Sequence, residues 1–204
     1  AEDASEAQIK APKKNHDQPK DKKKQKPDPA PDPIRTFPAQ EDRAKSTALR
    51  DLMSSDPDRR AHGIETLQNA PGQAAPFTLA LAARHLAQER NLAKAALYLY
   101  AARLRHHIDK MRFPESPAAA RAHRHMVKQH LLKITPPINR WLFGEKNRFK
   151  SLIEKLRKWE NKTPYAYKPL YKTGPNLNKK KKMAALKHNR EKFFSRLEAI
   201  LNAL

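Results

Sequence analysis

At 204 residues and 23.4 kDa the chain has room for one domain of ordinary size, or a smaller domain with a tail. It carries 43 Lys+Arg against 21 Asp+Glu, a formal net charge of +22, and only 38% of its residues are apolar, so no stretch approaches the ~18 apolar residues that a membrane span requires. The absence of cysteine excludes disulfides, thiol catalysis, Fe–S clusters and cysteine zinc sites, and four glycines leave no room for a Walker loop or a dinucleotide fingerprint.

Residues 1–40 hold seven of the 17 prolines, no glycine, and only Ile9, Ile34 and Phe37 as large apolar side chains. Such a segment cannot bury enough apolar surface to offset its ordering entropy, which predicts a disordered Pro/Lys-rich tail. The run Pro27–Pro33 favours extended, polyproline-type backbone. Ala1-Glu-Asp followed by a polar tract is what a signal peptidase often leaves behind, so a periplasmic or secreted protein is expected.

From residue 41 to 204 the apolar period is near 3.6, and no stretch alternates with period two. Leu49, Leu52 and Met53 form a first short stripe. Asp56-Pro57 is a cap-then-proline helix start, and the helix it opens carries Ile64 and Leu67 up to the breaker Ala70-Pro71-Gly72. A third helix opens near Pro76 and a fourth after Asn91. The fourth is apolar on two faces, with Leu92, Ala95, Ala96 and Leu99 on one and Leu97, Tyr100, Ala101, Leu104 and Ile108 on the other. It is therefore expected at the centre of the domain. Its polar residues collect late, and Arg103, Arg105, His106 and His107 form a candidate basic cluster that also complements the negative helix end.

Ser116-Pro117 is expected to launch a helix that Pro136-Pro137 stops, followed by a short segment through Phe143. Phe149, Leu152, Ile153, Leu156 and Trp159 make a regular stripe. Residues 160–178 read as loop, and a last helix carries Met183, Leu186, Phe193, Leu197, Ile200 and Leu204. The expectation is an all-α fold, seven or eight helices in one irregular domain behind a disordered tail.

The pair Phe77–Glu89 and Leu92–Arg105, with small residues at Ala82, Ala83, Ala95, Ala96, Ala101 and Ala102, resembles a degenerate tetratricopeptide or Sel1-like helical hairpin. Tyr100-Ala-Ala-Arg-Leu-Arg105, Ile138-Asn139 with Trp141-Leu-Phe-Gly144, and Trp159-Glu-Asn-Lys-Thr-Pro164 are similar to stretches of uncharacterised helical proteins exported by proteobacteria. That resemblance implies export and an all-helical fold, and nothing about chemistry.

Five of the nine histidines fall between His106 and His130. His123 and His125 diverge by about 200° on a helix, His123 and His130 share a face at long reach, and no acid lies between residues 116 and 134 to join them. Surface or anion-facing histidines are expected, with no metal or cofactor. Glu89, Asp109, Glu115, Glu145, Glu154 and Glu160 form no recognisable acid pair, and no nucleophile motif is present, so no catalytic residue is assigned.

Charge is the strongest signal. Residues 146–204 hold 17 Lys+Arg and four Asp+Glu. The excess peaks at Lys179, Lys180, Lys181 and Lys182, where the last helix is expected to begin. Four lysines there oppose the helix dipole, so either the helix starts later or this end is an anion site. With Lys168, Lys172, Tyr165 and Tyr167 they make the candidate polyanion-binding set, cations that contact phosphates and aromatics that stack. The alternative is a tyrosine-anchored loop over the core beside a solvated lysine run. The expected function is a non-enzymatic exported binding or scaffold protein with a protein partner in the cell envelope and a region that attracts an anionic polymer. Phosphate-backbone binding of nucleic acid is the alternative.

Overall fold

The computed structural model describes residues 47–112, 118–167 and 179–204. The Pro-rich tail, the Ser116-Pro117 helix start and the segment with Lys168, Tyr171 and Lys172 lie outside the described residues. Within them the fold is all-α: α1 (Thr47–Leu52), α2 (Pro57–Asn69), a 3-10 turn (Pro71–Gln73), α3 (Pro76–Gln88), α4 (Leu92–Arg112), α5 (Ala118–Phe143), α6 (Lys146–Lys162) and α7 (Lys179–Ala203).

Local chemistry sets most of these boundaries. The Asp56 carboxylate accepts the Asp58 N–H at 2.9 Å, and Pro57 takes the first helical position of α2. Asn91 Oδ1 faces the Lys94 N–H at 3.4 Å as α4 begins. Between α3 and α4 the Asn91 N–H donates to Leu86 C=O at 2.8 Å and the Arg90 N–H to Ala87 C=O at 3.1 Å. This is a Schellman closure with Arg90 in the left-handed region at φ 63°. A side chain is strained there, so Arg90→Gly is expected to stabilise the protein by about 0.5–1 kcal/mol, read as a higher urea midpoint. Arg90→Ala should show no such gain.

α4 is the central helix, as its two apolar faces require: it packs against α3, α5, α6 and α7. Ala95, Leu99, Ala101, Ala102, Leu104 and Ile108 have no exposed surface. Ala80, Ala82 and Ala83 of α3 are equally covered, and small residues on both sides let the α3–α4 hairpin close tightly.

Two expectations are corrected. Pro136-Pro137 does not stop a helix: α5 runs through both prolines to Phe143. The missing N–H groups leave the C=O of Leu132 and Lys133 without their helical partners, and both residues lie on the exposed face, where water can serve them. Thr135 Oγ1 donates to Leu131 C=O at 2.6 Å and helps hold the turn. In α7 the buried line is Asn189, Phe194 and Leu197, whereas Met183, Ile200 and Leu204 are exposed. Only α4 and α6 cover this helix among the described residues, so its ends keep apolar surface in water.

Candidate functional site

Arg105 is the largest fully buried side chain among the described residues. It sits on α4 in line with Ala101 and Ile108, a position the helix turns inward. Its Nη1 donates to Ala74 C=O at 2.6 Å and to Pro71 C=O at 3.0 Å, satisfying the 3-10 turn between α2 and α3. Its guanidinium carbon lies 4.7, 5.0 and 5.1 Å from the ring centres of Trp159, Tyr165 and Tyr167. Nε and Nη2 have no hydrogen-bond partner among the described residues, and the aromatic rings are what surrounds them.

Two buried acids complete the cluster. Asp109, one turn beyond Arg105, accepts the Tyr167 hydroxyl at 2.7 Å and Arg112 Nη1 at 3.2 Å. Burial pushes its carboxyl up to about 6, against the pull of Tyr167 and Arg112. Glu160, at the end of α6, accepts the Tyr165 hydroxyl at 2.5 Å while its Oε2 has no partner among the described residues; burial raises its carboxyl too. Arg112 lies 5.4 and 5.3 Å from the Tyr165 and Tyr167 ring centres. The segment after α6 is drawn in with them. The Ala166 N–H donates to Gly72 C=O at 3.0 Å, and a Cβ on Gly72 would lie 2.8 Å from Pro164 C=O, so only glycine admits this approach.

The stretches 100–105, 138–144 and 159–164 are joined in space. Arg105 contacts Trp159, the Tyr100 hydroxyl donates to Asn139 Oδ1 at 3.1 Å, and Arg148 reaches Trp141 C=O at 3.0 Å while stacking on its ring. Chemically the cluster is a clasp: one guanidinium ties two loops to the central helix, and each acid is held by a tyrosine.

Tyr165 and Tyr167 of the candidate polyanion set are engaged inside the fold. Tyr167 is buried, Tyr165 half-buried, and both hydroxyls are bound to internal acids. The basic cluster of Arg103, Arg105, His106 and His107 is likewise split, because successive residues turn about 100° around a helix that is packed on most sides. Arg103 is exposed, its guanidinium 5.4 Å from the Tyr100 ring centre, while Arg105 and His106 are buried and His107 half-buried. Of the histidines expected at the surface or facing an anion, His106 is buried and His123 and His130 are half-buried. His123 and His130 pack edge-on to Phe77, and burial pushes all three down to about 4. Among the described residues no three His, Asp or Glu side chains converge on a metal position.

Of the lysine run, α7 begins at Lys179, so the four residues form its first turn instead of preceding it. Lys180 and Lys181 are exposed. Lys168 and Lys172 lie outside the described residues. The buried acids Asp109 and Glu160 were missed as site residues, although Glu160 continues the apolar stripe of Phe149, Ile153 and Leu156 and Asp109 stands one turn after the inward-facing Arg105.

No protein-family model matches the chain, nor does any curated protein or solved structure.

Proposed function

We propose that this is a non-enzymatic binding protein whose basic half, α4 to α7, holds an anionic polymer. The observation that carries the reading is the fate of the acids. Residues 47–91 balance five basic side chains with five acidic ones. In α5 there are five Lys and Arg and no acid at all. Of the acids around α4, α6 and α7, Asp109 and Glu160 are buried, Glu145 is paired with Arg148, and Glu191 and Glu198 are paired with Arg157. Glu154 is the acid left exposed outside an ion pair among these described helices. The exposed field of this half is therefore almost wholly cationic, which favours phosphate- or carboxylate-rich chains and releases their counterions. The buried acids, each engaged with a tyrosine, serve packing and not turnover.

Binding of full-length protein to labelled DNA, RNA and lipopolysaccharide tests this. Affinity is expected to fall by a factor of tens or more between about 50 and 200 mM salt. Changing Lys179–Lys182 to Gln should flatten the salt slope by up to ~3 units on duplex DNA. Unchanged affinity and slope for all three polymers would sink the reading. An anionic envelope polymer is the first choice of partner, in keeping with the resemblance to exported proteins, and nucleic acid the alternative; cell fractionation separates them.

A protein partner is a second reading, favoured by Met183 and Ile200 on α7 and Leu204 just beyond it, which are 58%, 42% and 50% exposed. Crosslinking in the native envelope that returns no specific protein counts against it.

A further inference from the structure

A groove of about 340 Å³ opens where the last turns of α6 meet the first turns of α4 beside the Pro71 turn. Its walls are apolar and aromatic, formed by Leu97, Tyr98 and Trp159, and its rim carries Lys94, Lys158 and Lys162. No carboxylate lines it, and none of the three lysines belongs to an ion pair among the described residues. Lys158 and Lys162 lie near the C-terminal end of α6, where cations complement the helix dipole, so packing alone accounts for them. Lys94 is different. It occupies the first turn of α4, at the positive end of that helix, and lines the same groove as the two lysines of α6. Lys158 and Lys162 are exposed and Lys94 is half-buried, so an anion entering the groove can meet all three cations and offset the unfavourable dipole at Lys94.

The aromatic wall is held in advance. The Arg105 guanidinium stacks 4.7 Å from the Trp159 ring centre, and Tyr98 is buried behind the rim. A rigid indole beside a cationic rim receives the apolar face of a ring and an attached phosphate together. The volume lies within the ~300–1,000 Å³ of small-ligand sites. We infer that this groove binds a sugar phosphate, the anion held by Lys94, Lys158 and Lys162 and the sugar ring laid against Trp159. The proposal rests on the polyanion reading and deepens it by naming the unit recognised, and it uses residues other than Lys179–Lys182.

The test uses the full chain with Trp141→Phe, which leaves Trp159 as the sole tryptophan. Its emission is titrated with inorganic phosphate, a hexosamine phosphate and a ribonucleoside monophosphate. A saturable change is expected, with at least one sugar phosphate binding about tenfold or more tighter than inorganic phosphate. Adding Lys158→Gln and Lys162→Gln should weaken that binding by about a hundredfold, and Lys94→Gln by about tenfold, with far-UV circular dichroism unchanged. A response to the hexosamine phosphate alone assigns a glycan source, and one to the nucleotide alone a nucleic-acid source. No saturable response up to about 10 mM, equal affinity for inorganic phosphate, or indifference to the lysine changes overturns the inference. Any of these would leave the salt slope set by Lys179–Lys182 untouched, so the two readings fail separately.

Discussion

Arg105→Met is expected to destabilise the protein by about 3–5 kcal/mol at pH 7.5, measured by urea unfolding followed by circular dichroism. The side chain is apolar and of similar length, so lost volume is not the cause. The change leaves Pro71 C=O and Ala74 C=O without their buried donor and takes the cation from between Trp159, Tyr165 and Tyr167. It also takes from the buried Asp109 and Glu160 one of the two charges that favour their ionised forms, leaving Arg112 to the first and Arg190 to the second. Part of that penalty is relieved when the acids protonate, so the loss should shrink at pH 5. Arg105→Lys should recover only part of the stability, since an ammonium lacks the planar face that three rings surround. A variant with wild-type stability at both pH values would show that the clasp holds nothing together.

The second large effect is acid instability centred on the histidines. His106, His123 and His130 are pushed from 6.5 to about 4, chiefly by burial and then by cations such as Lys110, Arg124 and Arg84. Between pH 6.5 and 4 the unfolded chain takes up protons that the folded chain refuses, so stability falls as pH falls through this window. For His106, the most buried, the loss is on the order of 3 kcal/mol, and less for the half-buried His123 and His130. Asp109 works the other way. Its raised carboxyl binds a proton in the folded state first, so it adds stability as pH falls from about 6 to 3.8. Asp51, held low by His62 and the arginines beside it, loses its contribution only below its ordinary value. Glu160, also raised by burial, works with Asp109, and His107, lowered by burial, works with the other histidines. Four histidines against two acids give a net decline, seen as a urea midpoint that drops from pH 7 to pH 4.5. Asp109→Asn should steepen that decline, because it removes one of the two opposing acids. His106→Phe should flatten it. A midpoint that stayed level in both proteins would show that these side chains keep contact with water.

Both effects trace to polar residues on apolar stripes, and there the limits of sequence reading show clearly. Arg105 stands four residues after Ala101 and three before Ile108, and Glu160 continues Phe149, Ile153 and Leu156; His123 and His130 alternate with Val127 and Ile134 on α5. Each sits where a helix repeat places core residues. Their burial was thus written in the spacing, yet composition drew them into surface clusters of basic residues and histidines.

Helical periodicity, the Asp56-Pro57 start and the two-sided apolar pattern of residues 92–108 determine by themselves the all-α fold and the central place of α4, because these are local properties of one helix at a time. The lysine excess, equally local, is legible as charge. Partners were not. Arg105 meets Trp159 and Tyr165 across 54 and 60 residues of chain, and no period in either segment names the other. The same holds for the passage of α5 through Pro136-Pro137. A proline pair ends a helix unless the freed carbonyls reach water while Ile134 and Ile138 stay buried on the opposite face, as they do here. Which acids were neutralised inside and which cations were left to face solvent was decided only by tertiary packing, since burial is a property of neighbours brought from elsewhere in the chain.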